Sequence, residues 1–284
     1  MPPSSDAPAA VLIRIGSRGS RLALTQAELA SSYLRAPGIE IALVPITTAG
    51  DRDRTKPFGE IGARGVFVKE LEEALLAGRI DVAVHSAKDM TSMDASGLSV
   101  GAYLERDDPR DALCGVEQIE PGMRIGTASI RRRAQLLAHE PTLSIEPLRG
   151  NVDTRLRKGR ERGLDAIILA ACGLDRLGLG DEIGRRLEPD EMLPEAAQGA
   201  LALQVRAGEE ALVEHTDDVP TRIRVEAERA CVARVGAGCL APVAAYHDGN
   251  VLTALIADEN GAWVERRSGN DPAAVAAELL SLIP

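Results

Sequence analysis

Between Val11 and His85 short apolar runs alternate with stretches of helical period, and that alternation confines the chain to folds built on an α/β layer. Val11 to Ile15 reads as a strand, broken by Gly16-Ser17-Arg18-Gly19-Ser20 and followed by a helix whose buried stripe includes Leu22, Leu29 and Tyr33. Ile39 to Ile46 reads as a second strand. The polar, glycine-dotted stretch from Thr47 to Gly65 is long for a connection inside a compact domain and reads as a lid. A helix from Phe67 to about Ala77 sets Phe67, Leu71, Ala74 and Leu75 on one face and stops at Gly78. Asp81-Val82-Ala83-Val84-His85 then suits a strand buried on both faces.

A second α/β unit starts near Arg106: a helix after Gly126-Thr127-Ala128-Ser129, a strand from Leu143 to Pro147, a helix after Asn151, and the apolar strand from Asp165 to Ala170. Leu201 to Val205 is a strand able to rejoin the first unit. A helix from Arg222 to Val235, with Ile223, Ala227, Ala230 and Cys231 along one stripe, opens a third segment. Strands Val243 to Tyr246, Val251 to Ala257 and Ala262 to Arg266 and a helix from Pro272 to Leu282 complete it. A chain of 284 residues that is 45% apolar has the material for two or three cores.

Charge narrows the function. The net charge is −10, and one Trp, three Tyr and two Phe are too few for stacking platforms, so nucleic acid is not the expected partner. No run approaches a membrane span, and the N-terminal ten residues lack the pattern of a signal peptide. Cys114, Cys172, Cys231 and Cys239 have no disulfide or C-x-x-C spacing, which fits a reducing cytoplasm. His85, His139, His215 and His247 are scattered singly, and no metal is expected.

Within this acidic chain two arginine groups, Ser129-Ile130-Arg131-Arg132-Arg133 and Leu148-Arg149-Gly150-Asn151-Val152-Asp153-Thr154-Arg155, each stand where a helix begins. Guanidinium forks and helix N-termini both bind carboxylates and phosphates, so the pair predicts an anion pocket. A solvated helix face has the same composition. Ser86-Ala87-Lys88-Asp89 follows a buried strand, the position where open α/β sheets bind ligands. Asp89 is a candidate for stabilising a cation or moving a proton, and equally a turn residue bonded to its own backbone. Cys239, in Gly236-Ala237-Gly238-Cys239, reads either as an approachable nucleophilic thiol or as a small buried hydrophobe.

Taken together, Arg18 to Gln26, Gly65 to Glu72, Asp81 to Asp89, Asp108-Pro109-Arg110-Asp111, Gly126 to Arg132, Leu148 to Arg155 and Gly238-Cys239 resemble, in order, the motifs of the porphobilinogen deaminase (hydroxymethylbilane synthase) family, over Arg14 to about Pro242. The resemblance implies an α/β protein of three domains, two of them periplasmic-binding-protein-like around a cleft plus a small C-terminal α/β domain. The boundaries are 1–105 with 199–221, 106–198, and 222–284. It implies a cytoplasmic, monomeric transferase that joins four porphobilinogen molecules head to tail, releasing ammonia at each addition and hydroxymethylbilane by hydrolysis. The primer is a dipyrromethane cofactor on Cys239. Asp89 is the implied catalytic carboxylate, with Lys88 beside it; Arg131, Arg132, Arg155, Ser129 and Ser86 are implied to hold the cofactor, and Arg18, Arg149, Arg176 and Gln26 the substrate and growing oligopyrrole chain.

Several positions depart from the family pattern: Arg64 for Lys, Met90-Thr91 for Val-Pro or Leu-Pro, Arg21 for Pro, Ala128 for Ser, and Ala197 and Ala237 for Gly. None removes a proposed chemical group; loss of the proline after Met90 bears most directly on the loop presenting Asp89. A non-catalytic anion-binding module and a ligand-sensing regulator are the competing classes, and a covalently loaded Cys239 discriminates against both.

Overall fold

The computed structural model describes residues 11–47, 68–91, 95–236 and 242–283. All of the expected lid beyond Thr47, the start of the next helix at Phe67, and Cys239 lie outside the described residues. The internal contacts divide the chain into two compact units, one of residues 1–85, 94–102 and 202–217, the other of 86–93, 103–201 and 218–284.

In the first unit β1 (Val11–Arg18), β2 (Ile39–Ile46), β3 (Val82–Ser86), β4 (Leu98–Tyr103) and the late strand β10 (Leu201–Arg206) form one sheet in the order β2-β1-β3-β10-β4. The return of β10 to this sheet is as the apolar run from Leu201 predicts. Strands β1 and β2 run parallel from Val11↔Ile39 to Arg18↔Ile46, and β1 is also parallel to β3. Arg18 and His85 therefore stand at the same, carboxyl, edge of the sheet. Helix α1 (Arg21–Leu34) starts at Ser20, whose side chain accepts from Ala23 N at 3.3 Å. It buries Ala27, Ala30 and Leu34, while Tyr33 is exposed and Leu22 and Leu29 are half-buried. The stripe is thus rotated from the expected Leu22, Leu29 and Tyr33, because small side chains let the helix approach the sheet and leave the large ones at its margins. Helix α2 (Lys69–Leu76) buries Leu71, Ala74 and Leu75 as expected, packing them on Ile80, Ala83 and Leu98.

The second unit holds a five-stranded sheet of β5 (Asp111–Cys114), β6 (Arg124–Gly126), β7 (Ser144–Glu146), β8 (Ala166–Ala170) and β9 (Ile183–Leu187), ordered β7-β6-β8-β5-β9. Strands β6, β7 and β8 are parallel, and β5 is antiparallel to both β8 and β9. The order repeats that of the first unit, with β5 in the place of β10. Helices α3 (Ile130–His139), α4 (Val152–Glu161) and α5 (Ala171–Arg176) follow the carboxyl ends of β6, β7 and β8. Two cores result, one around Leu148, Leu156, Ile167 and Leu174, the other around Leu113, Ile125, Leu136 and Ile168.

The same unit contains an antiparallel sheet of β11 (Val243–His247), β12 (Leu252–Ala257) and β13 (Val264–Gly269), packed against α6 (Val219–Gly236) and α7 (Pro272–Leu280). The buried side of α6 carries Val225, Glu228, Cys231, Val232 and Val235, whereas Ile223 is 59% exposed. The expected stripe through Ile223 and Ala230 is overturned by Glu228, a charged residue on the inward face that an apolar periodicity passes over. No described helix is long and apolar enough to cross a membrane.

Candidate functional site

Strand β3 ends at Ser86 and the chain tightens at once into a 3-10 turn, Ala87–Asp89. Ala87 N donates to Ala200 O at 3.0 Å, fixing the turn to the segment that enters β10. Lys88 and Asp89 are half-buried, and Lys88 Nζ donates to Gln198 Oε1 at 3.1 Å. By its contacts this turn belongs to the second unit, the one that also carries the arginine groups.

Ser129 caps α3, its hydroxyl accepting from Arg132 N at 3.4 Å, so Arg131 and Arg132 occupy the first turn. Both are buried, which sets aside the solvated-face reading. Between them lies Asp111 at the start of β5, fully buried, with Arg131 Nη2 donating to Oδ2 at 2.8 Å and Arg132 Nη2 to Oδ1 at 2.7 Å. Gln198 Nε2 donates to the same Oδ1 at 2.8 Å, so one chain of contacts runs from Lys88 through Gln198 and Asp111 to the arginine pair. Burial would raise the Asp111 carboxyl, but the charges of Arg131 and Arg132 outweigh it and hold the group well below the usual carboxylate range. The remaining Nη1 donors reach Leu193 O at 2.7 Å and Ile168 O at 3.0 Å. The Nε atoms of both arginines are buried without a hydrogen-bond partner among the described residues; Glu195 Oε2 stands 3.9 Å from that of Arg131.

Arg149 and Arg155 flank the start of α4, after β7. Arg155 Nε donates to Gly150 O at 2.7 Å. Its guanidinium is pushed down to about 10, first by burial and then by repulsion from Arg132 and Arg149, with Asp89 opposing them. It stays charged at neutral pH. The carboxyl edges of β6, β7 and β8 thus gather Ser129, Arg131, Arg132, Arg149 and Arg155, the edge where open α/β sheets take ligands. Arg176, at the end of α5, is half-buried with its side chain enclosed and engaged elsewhere: Nε to Asp107 Oδ2 at 2.8 Å and Nη2 to Gly199 O at 2.6 Å. Arg18 and Gln26 lie in the first unit, Arg18 half-buried at the end of β1 and Gln26 buried in α1.

Sequence reasoning missed Asp111 and Gln198 as parts of this network. Asp111 stood in a quoted motif, and an acidic residue opening an otherwise apolar strand, Asp111-Ala112-Leu113-Cys114, was the available signal. Gln198 had none beyond its neighbours. Glu228 was missed too: fully buried, it accepts from Arg106 at 2.6 and 3.1 Å, Ala197 N at 2.6 Å and His247 N at 2.8 Å, joining α6 and β11 to the segment that carries Gln198.

The family model described as "Porphobilinogen deaminase, dipyromethane cofactor binding domain" matches residues 13–214. The chain belongs to the porphobilinogen deaminase family. The porphobilinogen deaminase of Syntrophotalea carbinolica is 47% identical over 244 residues, 82% of this chain and 78% of that one. That of a Roseiflexus species is 44% identical over 287 residues, 94% of this chain and 95% of its relative. Among solved structures, the methionine-binding protein MetQ is similar at 14% identity and a TM-score of 0.45, over 76% of this chain and 91% of that one. As a porphobilinogen deaminase the chain is a transferase of tetrapyrrole biosynthesis, with porphobilinogen as substrate and dipyrromethane as cofactor. The residues fit that cofactor: its rings carry carboxylates, Arg155 lies near Arg132 and Arg149 with Asp89 close by, and the Nε donors of Arg131 and Arg132 have no hydrogen-bond partner among the described residues.

Proposed function

We propose that Asp89 is the catalytic carboxylate of this porphobilinogen deaminase, and that Arg131, Arg132, Arg155, Ser129 and Ser86 hold the cofactor while Arg18, Arg149, Arg176 and Gln26 serve substrate and growing chain. The observation that carries the reading is the charge arrangement around Arg155, in which Arg132 and Arg149 repel it and Asp89 attracts it. Arginines crowded together are stabilised by carboxylates, and a carboxylate next to them faces whatever those carboxylates belong to. When ammonia leaves the aminomethyl carbon of porphobilinogen, the pyrrole becomes cationic, and Asp89 opposes that charge while accepting from the ring N–H. At about 4 Å and an effective dielectric of about 20, the attraction is about 4 kcal/mol. Lys88, held by Gln198, positions a ring carboxylate beside Asp89. Dipyrromethane supplies the free pyrrole position to which the first substrate unit is joined.

The attachment point in this reading is Cys239. Burial supports it by weakening the alternatives: Cys114, Cys172 and Cys231 are buried, the Cys114 thiol is pushed up to about 12 and the Cys231 thiol up to about 11, chiefly by burial, and neither is a ready nucleophile. Residues 106–198 and 222–284 form separate domains in this reading, one around each sheet of the second unit, and the protein is a cytoplasmic monomer that binds neither nucleic acid nor membrane.

Intact-mass spectrometry tests the assignment. The purified chain should carry a dipyrromethane adduct that peptide mapping places on Cys239, and brief exposure to porphobilinogen should add one-ring increments. Cys239→Ser should abolish both. Asp89→Asn should keep the adduct and lose ammonia release; near-normal turnover in a loaded, folded Asp89→Asn variant removes Asp89 from its role.

A further inference from the structure

We propose that Arg229 is a positioning residue for Asp89, holding from α6 both ends of the turn that presents the carboxylate. Its Nη1 donates to Ala87 O at 3.3 Å and its Nη2 to Thr91 O at 2.7 Å, so one planar fork bridges the residue before Lys88 and the second residue after Asp89. Within the turn itself Met90 N donates to Ala87 O at 3.3 Å, the long end of the hydrogen-bond range. The turn depends correspondingly on contacts from outside it: Ala200 O on Ala87 N, Gln198 on Lys88, and Arg229.

Arg229 is well placed to transmit rigidity. The preceding residue, Glu228, is fully buried and held by Arg106, Ala197 N and His247 N, so α6 is anchored where the guanidinium leaves it. The same region of chain, 197–200, supplies Gln198 and Ala200 to the turn, so Glu228 and Arg229 fix two sides of one support. Thr91 occupies a position where the family pattern has proline. A proline would stiffen the exit of the turn covalently; here the guanidinium on Thr91 O holds that exit. Met90, at φ −74° and ψ 150°, already has the extended backbone that a residue before proline adopts.

The inference rests on Asp89 being the catalytic carboxylate, and the experiment separates the two. In full-length, cofactor-loaded protein, Arg229→Met should raise amide hydrogen exchange at 87–91 and lower kcat by about 10- to 100-fold with KM changed far less, as expected when a reacting group is displaced rather than removed. The adduct mass should be unchanged. Arg229→Lys should behave as Arg229→Met, because a single ammonium cannot span both carbonyls. Adding Thr91→Pro to Arg229→Met should restore exchange protection and part of kcat. Wild-type exchange and kcat in Arg229→Met would overturn the proposal. So would exchange raised along the whole of α6 with no rescue by Thr91→Pro, which marks a loss of helix stability only. If Asp89→Asn retained turnover, the catalytic reading would fail while exchange at 87–91 still reported on the contact.

Discussion

Asp111 is the residue on which the arginine pair depends. A fully buried carboxylate shared by two buried guanidiniums is costly to desolvate, and removing its charge leaves two buried cations facing each other without the carboxylate they share. Asp111→Asn should destabilise the loaded protein by about 3–5 kcal/mol, read by chemical denaturation. The pH dependence follows from the depressed carboxyl. Because its folded value lies below its unfolded one, Asp111 stabilises the fold above the ordinary carboxylate range near pH 4, and that contribution is lost as pH falls further. The melting temperature should drop between about pH 5 and pH 2, and Asp111→Asn should flatten that slope. A variant with an unchanged slope would show that other carboxylates dominate acid unfolding.

At the scale of elements, the segment 197–200 does more than connect a loop to β10. Ala197 has φ +63°, the only positive value at a non-glycine among the described residues, and Gly199 has φ +94°, where a Cβ would come 2.5 Å from Asp107 O. Two left-handed residues around Gln198 turn its side chain toward Asp111 and Lys88 while its carbonyl meets Arg106 at 2.8 Å. Glycine suits both backbone positions, and alanine at 197 stores strain that the Glu228 carboxylate on its N–H helps to hold. Ala197→Gly should raise stability by up to about 1 kcal/mol with kcat preserved, checked by thermal melting beside steady-state assays. A loss of stability would mean that the buried methyl matters more than the dihedral.

For the molecule as a whole, arginines that hold the cofactor predict that the unloaded chain is the less stable form. Anything that binds only the folded state stabilises it, and a group carrying carboxylates would add negative charge beside Arg155, which Arg132 and Arg149 repel. Cys239→Ser, which cannot be loaded, should melt on the order of 5 °C below the loaded protein, and sulfate should raise its melting temperature more than that of the loaded form. Equal melting temperatures and equal sulfate responses would detach the arginines from the cofactor.

Much of this was legible in the amino-acid sequence alone, and for definite reasons. Apolar runs of strand length, helical periods and glycine stops are local signals, so the α/β class, α2 with its Leu71, Ala74 and Leu75 face, and the return of Leu201 to the first sheet were readable. Chemistry-bearing motifs are also local: the order of seven of them pointed to the family, and with it to Asp89, Cys239 and the arginine groups. Tertiary structure decided what local pattern cannot encode. The buried faces of α1 and α6 are set by how closely each helix approaches its sheet and by where Glu228 finds donors, partners far apart in the chain. That Arg131 and Arg132 are held by Asp111, that Gln198 links Asp111 to Lys88, and that Arg229 grips the turn before and after Asp89 are hydrogen bonds across 20 to 21, 87 to 110, and 138 to 142 positions of sequence. Polar groups excluded from water must find one another wherever the chain brings them, and that pairing is a property of the packed fold rather than of any segment of it.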